Sequence, residues 1–126
     1  MAIDSMQAGF SNSIFVVDDD LFLNELFCQF LQSKGFFTHS ANSLLEAVNV
    51  IETEKATDLI LLDYNLGDGT GLDFLRRLKQ ISNNNMPPVI MVSTNEDPVF
   101  LESCFEAGVA DYVIKPVNLS LLALKV

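Results

Sequence analysis

Leu59-Ile60-Leu61-Leu62 is an unbroken apolar run, and it ends on Asp63. A strand with one wet face alternates apolar and polar side chains. A run that does not alternate suits a strand covered on both faces, as in a parallel sheet packed between helices. Working outward, the same pattern recurs. Ile14-Phe15-Val16-Val17 runs into Asp18-Asp19-Asp20, Val89-Ile90-Met91-Val92 stops at Ser93-Thr94, and Tyr112-Val113-Ile114 stops at Lys115-Pro116. The carboxyl ends of parallel strands lie along one edge, and ligands bind in the crevice outside it. Two strands would bring carboxylates there, a third a hydroxyl and a fourth an ammonium group. That set suits a divalent cation together with a phosphoryl group.

The segments between these runs read as helices. Asp20 can cap a helix over about Leu21–Lys34, with Leu23, Leu26, Phe27 and Phe30 on one stripe and Gly35 closing it. A weaker strand at Phe36–His39 precedes a helix capped by Asn42 or Ser43 and running to about Lys55. Leu44, Leu45, Ala47, Val48 and Ile51 are its expected buried side. The central strand covers Asp58–Leu62. After the glycine-rich turn Asn65-Leu66-Gly67-Asp68-Gly69-Thr70-Gly71 a helix covers Leu72–Ile81, with Leu72, Phe74, Leu75 and Leu78 inward. Asp97-Pro98 starts the next helix, to about Ala107, and Gly108 ends it. Asp111–Ile114 is the fifth strand, and Asn118 caps a last helix of barely two turns. Five strands alternating with five helices imply an α/β, doubly wound, five-stranded parallel sheet with helices on both faces. So short a final helix is expected of a chain cut from something longer, with residues 1–12 as a leader and 13–126 as the domain.

Composition narrows the function. The 126 residues suffice for one domain with a proper core, and a 49% hydrophobic fraction argues against disorder. No apolar stretch approaches the roughly 18–20 residues that span a bilayer, and the N-terminus lacks the pattern of a secretory signal. A cytoplasmic protein that does not engage membranes is expected. The net charge of −10 repels nucleic acid phosphates, which argues against direct nucleic acid binding by this segment. Cys28 and Cys104 have no metal-ligand spacing and read as buried free thiols.

With these residues in order, the chain resembles the response-regulator receiver domain, the phosphorylatable module of two-component signalling. The resemblance rests on Asp18-Asp19 after the first strand, Asp63 after the third, Ser93 after the fourth, Tyr112 in the fifth and Lys115-Pro116 behind it. It implies a flavodoxin-like fold, with Asp63 as a phosphoacceptor taking phosphate from a sensor histidine kinase or phosphotransfer protein. Mg²⁺ would be held by Asp19, Asp63 and the main-chain carbonyl of Asn65, with Asp18 helping through water. Lys115 would pair with Asp63 and then with the phosphoryl oxygens, and Ser93 would donate its hydroxyl to one of them. Tyr112 would turn inward and remodel the face of the fourth helix, fifth strand and fifth helix, a surface for an output domain, a partner or a homodimer. The Lys115–Pro116 bond would be cis. Such a domain is regulatory and catalyses only its own phosphoryl transfer and loss.

Two positions depart from the commonest family pattern. Gly67 stands where a proline is usual, and Thr94 is larger than the small residue usually found beside the hydroxyl. Thr94 and Asn65 are expected to tune the access of water to the aspartyl phosphate. The rival readings are a degenerate receiver that binds partners without phosphorylation, and a haloacid-dehalogenase-type phosphatase. The latter needs a second Asp two residues after the nucleophile, where this chain has Asn65. Asp20 reads as a helix cap. His39, the one histidine, reads as a surface residue on an edge strand.

Overall fold

The computed structural model describes residues 12–53, 57–83 and 85–126. Strands β1 (Ser13–Val17), β2 (Phe37–Ala41), β3 (Leu59–Asp63), β4 (Val89–Ser93) and β5 (Asp111–Ile114) alternate with α1 (Leu21–Ser33), α2 (Leu44–Thr53), α3 (Gly71–Ser82), α4 (Pro98–Glu106) and α5 (Leu119–Lys125). The sheet order is β2-β1-β3-β4-β5, and each pairing is parallel.

The unbroken apolar runs have the expected cause. Phe15, Val17, Ile60, Leu62, Val89 and Met91 face a layer formed with Ala47, Phe74, Leu75, Leu78 and Cys104. Ile14, Val16, Leu61, Ile90 and Val92 face the opposite layer, formed with Phe27, Leu31 and Leu122. Consecutive residues point to opposite faces, and both faces are covered, so every position is apolar. Helices α2, α3 and α4 lie on one side, and α1 and α5 on the other.

Local signals fix the ends. Asp20, Asp97 and Asn118 each accept a main-chain N–H two or three residues ahead, and Pro98 opens α4. Thr70 and Asp73 form a reciprocal capping box at the start of α3. Gly35 follows α1 at φ +95°, a conformation that costs other residues a steric penalty.

Several expectations need correction. The second strand is displaced to Phe37–Ala41, because its pairing with β1 sets its register and its polar side chains carry little periodic signal. Leu45 is 68% exposed, since it falls off the stripe formed by Leu44, Ala47, Val48 and Ile51. In α1 the buried residues are Asn24, Phe27 and Leu31, whereas Leu23, Leu26 and Phe30 are half-buried. Cys104 is buried, but Cys28 is only partly so, and both thiols are free. His39 is half-buried: its ring stacks on Phe15 at 4.7 Å and its Nε2 lies 3.1 Å from the Thr57 hydroxyl. The end of α2 expected near Lys55, and the leader up to residue 11, lie outside the described residues. Among the described residues no helix is long and apolar enough to cross a membrane.

The strand order reverses between β1 and β3, whose carboxyl ends lie side by side with Val17 opposite Leu62. A crevice opens at such a switch point. Gly71, the first residue of α3, is packed into its floor. A Cβ there would sit 2.9 Å from the Asp63 carbonyl oxygen and 3.0 Å from Met91 Sδ. Gly71→Ala is therefore expected to destabilise the fold by about 1–3 kcal/mol, read as a lower urea midpoint. An unchanged midpoint would show that the floor is looser than described.

Candidate functional site

Each chemically able side chain is set at a strand end by a separate local device. Asp18 follows β1 and is buried. Its Oδ1 accepts the Asp20 N–H at 2.9 Å, and its own N–H donates to the Ala41 carbonyl at 3.2 Å. The buried Asn24 ties this corner together, donating from Nδ2 to the Asp18 and Ala41 carbonyls at 3.0 and 2.9 Å. Asp63 ends β3 and Ser93 ends β4, both 5% exposed. The Lys115 N–H donates to the Ser93 carbonyl at 2.8 Å, and the Lys115–Pro116 peptide is cis.

These devices bring three acids and one base together. Carboxylate oxygens of Asp18, Asp19 and Asp63 lie within 4.8 Å of one another. Lys115 Nζ is 3.2 Å from Asp63 Oδ1 and 3.8 Å from Asp18 Oδ2. Asp19 is exposed to solvent, whereas Asp18 and Asp63 are not. One ammonium cannot neutralise two buried carboxylates and a third beside them. Burial pushes the Asp18 carboxyl up to about 7, and the charge of Asp63 adds to that rise against the Asp20 N–H and Lys115. Burial also raises Asp63, with Lys115 opposing it.

Asp18 Oδ2 is fully buried and has no hydrogen-bond partner, a costly condition for a carboxylate oxygen. An all-oxygen cluster with one such atom fits a hard divalent cation, which takes carboxylate and carbonyl oxygens. Asn65 lies two residues beyond Asp63, exposed, in a loop closed by a bridge between Asn65 and Thr70. Gly67 turns this loop at φ +80°, beside Asp19 Oδ2.

The remaining positions sit behind this cluster. Ser93 Oγ accepts the Asn95 N–H at 3.1 Å, and the Tyr112 hydroxyl donates to the Asn95 carbonyl at 3.0 Å. Both are thus tied to the backbone of one residue, Asn95. Tyr112 is half-buried and stands edge-on to Phe100, which in turn stands edge-on to Tyr64, the neighbour of Asp63. Burial raises the Tyr112 hydroxyl pKa. Thr94 is exposed and lines an apolar groove of about 400 Å³ with Leu23, Phe27, Lys115 and Pro116. The roles of Asn24, Asn95 and Phe100 had no signal in the sequence, because a lone amide or ring shows nothing of the distant carbonyls and rings it meets.

Comparison with known proteins places the chain in a family. The family model described as the response regulator receiver domain matches residues 14–126. The two-component response regulator ORR3 of Oryza sativa subsp. japonica is 28% identical over 105 residues, 83% of this chain and 80% of its own length. The phosphate regulon transcriptional regulatory protein PhoB of Escherichia coli (strain K12) is 34% identical over 105 residues, and the match spans only 45% of that protein. Among solved structures, a two-component response regulator from Clostridium difficile superposes with a TM-score of 0.82 at 30% identity, covering 91% of this chain and 92% of that one. The Vibrio cholerae chemotaxis protein CheY4, at 23% identity and a TM-score of 0.84, shares the fold, over 91% of this chain and 95% of that one.

The buried acids give stability a definite pH dependence. Unfolded aspartates ionise near pH 4, whereas folded Asp18 keeps its proton up to about 7. In that window the native state binds more protons, so the free energy of unfolding falls as pH rises. Asp68 and Asp73 are held below the usual range by main-chain N–H groups, and their opposite effect acts only at lower pH. Metal-free protein is expected to melt at a lower temperature near pH 7.5 than near pH 5, and Asp18→Asn should flatten that fall. A melting temperature that rises over this interval would contradict the placement of Asp18.

Proposed function

Since this chain belongs to the response-regulator receiver domain family, we propose that it is a phosphoacceptor switch in which Asp63 takes a phosphoryl group from the phosphohistidine of a sensor kinase or phosphotransfer protein. Residues 13–126 form the receiver on this reading, with 1–12 as a leader. The observation that carries it is the convergence at the switch point of the Asp18, Asp19 and Asp63 carboxylates, within 4.8 Å of one another, with Lys115 at ion-pair distance from Asp18 and Asp63.

The Asp63 carboxylate attacks phosphorus, an oxygen–phosphorus bond forms, and the bond to the histidine nitrogen breaks with its electron pair leaving on the imidazole. Mg²⁺, for which Asp19, Asp63 and the Asn65 carbonyl would be the ligands with Asp18 helping through water, supplies positive charge against the phosphoryl oxygens when bound. Lys115 holds Asp63 in place beforehand and turns to a phosphoryl oxygen afterwards. Ser93, now accepting from Asn95, rotates to donate its hydroxyl to another phosphoryl oxygen.

That rotation breaks the Ser93–Asn95 contact, and Asn95 is the residue that holds the Tyr112 hydroxyl. Phosphorylation would thereby tilt a balance between two arrangements of Tyr112 and the face of α4, β5 and α5. An attached output domain, a separate partner or a second receiver would read that face. Thr94, beside the cleft, would govern the access of hydrolytic water.

Incubation with Mg²⁺ and acetyl phosphate is expected to add the mass of one phosphoryl group to the wild-type chain and none to Asp63→Asn. Equal labelling of both would exclude Asp63 as the acceptor, and labelling of neither would favour a module that binds without phosphorylation. Thr94→Ala is expected to change the half-life of the phosphorylated form, and identical decay would remove Thr94 from the path of water.

A further inference from the structure

We propose that Asp68 is a positioning residue that latches the loop between β3 and α3 onto the amino end of α2, and so sets the Asn65 carbonyl and the Gly67 turn against the acidic cluster. The proposal rests on the reading of that cluster as a metal site. Asp68 Oδ1 accepts the Leu44 N–H at 2.7 Å, and its Oδ2 accepts the Leu45 N–H at 3.0 Å. One carboxylate therefore binds the first two amides of α2 from a loop more than twenty residues away in sequence.

Helix amino ends leave several N–H groups without intrahelical partners, and the residue just before the helix commonly takes one of them. Here Ser43 does so, accepting the Glu46 N–H at 3.0 Å. Asp68 takes two others, so it is not needed as the ordinary cap. The tip beside it is also seated by packing: a Cβ on Gly69 would collide with a Leu44 methyl group. The Leu66 N–H donates to the Gly69 carbonyl at 3.0 Å, and Leu66 is buried, so the turn from Leu66 to Gly69 is closed on itself.

The reach from the latch to the cluster is short. Gly67, next to Asp68, lies where a Cβ would be 3.6 Å from Asp19 Oδ2, and Asn65 is three residues back. Gly67 has φ +80° and no ring to stiffen it, so the local contacts close the turn but the backbone of Gly67 adds no rigidity of its own. Asp68 supplies from outside the constraint that the glycine lacks. Its carboxyl is held below the usual range by the two amides, so the latch is ionised and its hydrogen bonds are charge-assisted at neutral pH.

The test is a Mg²⁺ titration followed by tyrosine fluorescence. The chain has two tyrosines and no tryptophan, and these are Tyr64, beside Asp63, and Tyr112. Asp68 is exposed and Ser43 still caps α2, so Asp68→Ala should fold. It is expected to weaken the Mg²⁺ Kd by about tenfold, with Asp68→Asn in between because one acceptor oxygen survives. Ser43→Ala, which removes the ordinary cap, should keep the wild-type Kd. In metal-free protein the Leu44 and Leu45 amides should be protected from hydrogen exchange and lose protection in Asp68→Ala. A wild-type Kd in Asp68→Ala, or an equal loss in Ser43→Ala, would overturn the positioning role while leaving the metal site standing. A wild-type protein that binds no Mg²⁺ would instead overturn the metal-site reading and this proposal with it.

Discussion

Two buried carboxylates, Asp18 and Asp63, face one ammonium, Lys115, and the rest of the molecule is arranged to hold them there. Left to itself, such a group would disperse, because removing charges from water costs several kcal/mol per ion after relaxation. It persists because each acid stands at the end of a strand buried on both faces, where ladder hydrogen bonds and core packing leave the backbone no alternative position. The raised Asp18 carboxyl and its orphaned Oδ2 are the visible cost of that placement. A divalent cation held there would relieve it, so the mutual repulsion of the acids would add to the affinity of the cluster for that cation.

Around that centre the polar contacts connect the cluster to surfaces that could report its state. Ser93 and Tyr112 both bind the backbone of Asn95, one at its N–H and the other at its carbonyl. Tyr64, Phe100 and Tyr112 form a run of edge-on rings from the neighbour of Asp63 across α4 to β5. On the other side the β3–α3 loop is bound to α2 through Asp68. A phosphoryl group that draws Ser93 away from Asn95 would therefore be felt toward α4 and β5, while the Asp68 side of the cleft stays fixed.

Much of this was legible in the sequence, for a physical reason. A strand covered on both faces must be apolar at every position, so β1, β3 and β4 announce themselves, and parallel pairing then gathers the residues that follow each run. Asp18, Asp19, Asp63, Ser93 and Lys115 could be placed at one edge on that basis alone. The second strand was less legible because Phe37-Thr38-His39-Ser40-Ala41 is a half-exposed edge, where the register is set by pairing with β1 and not by hydrophobic pattern. His39 does lie on that edge strand, but its partial burial was not legible, because its stacking on Phe15 is a cross-strand contact that spacing does not show. Asn24 and Asp68 share another limit. Their partners are main-chain groups brought close only by the finished fold.

The central claim is that Asp18 and Asp63 together retain a proton, well above the ordinary carboxylate range, until a cation replaces it. Carbon NMR of isotope-labelled aspartate carboxyls, titrated in metal-free protein and again with saturating Mg²⁺, tests this directly. The account expects a raised step for this pair without metal, and a shift of that step to lower pH when Mg²⁺ is present. If both carboxyls titrate in the ordinary range and ignore Mg²⁺, then the acids are neither desolvated nor coupled as described, and the switch has no electrostatic basis.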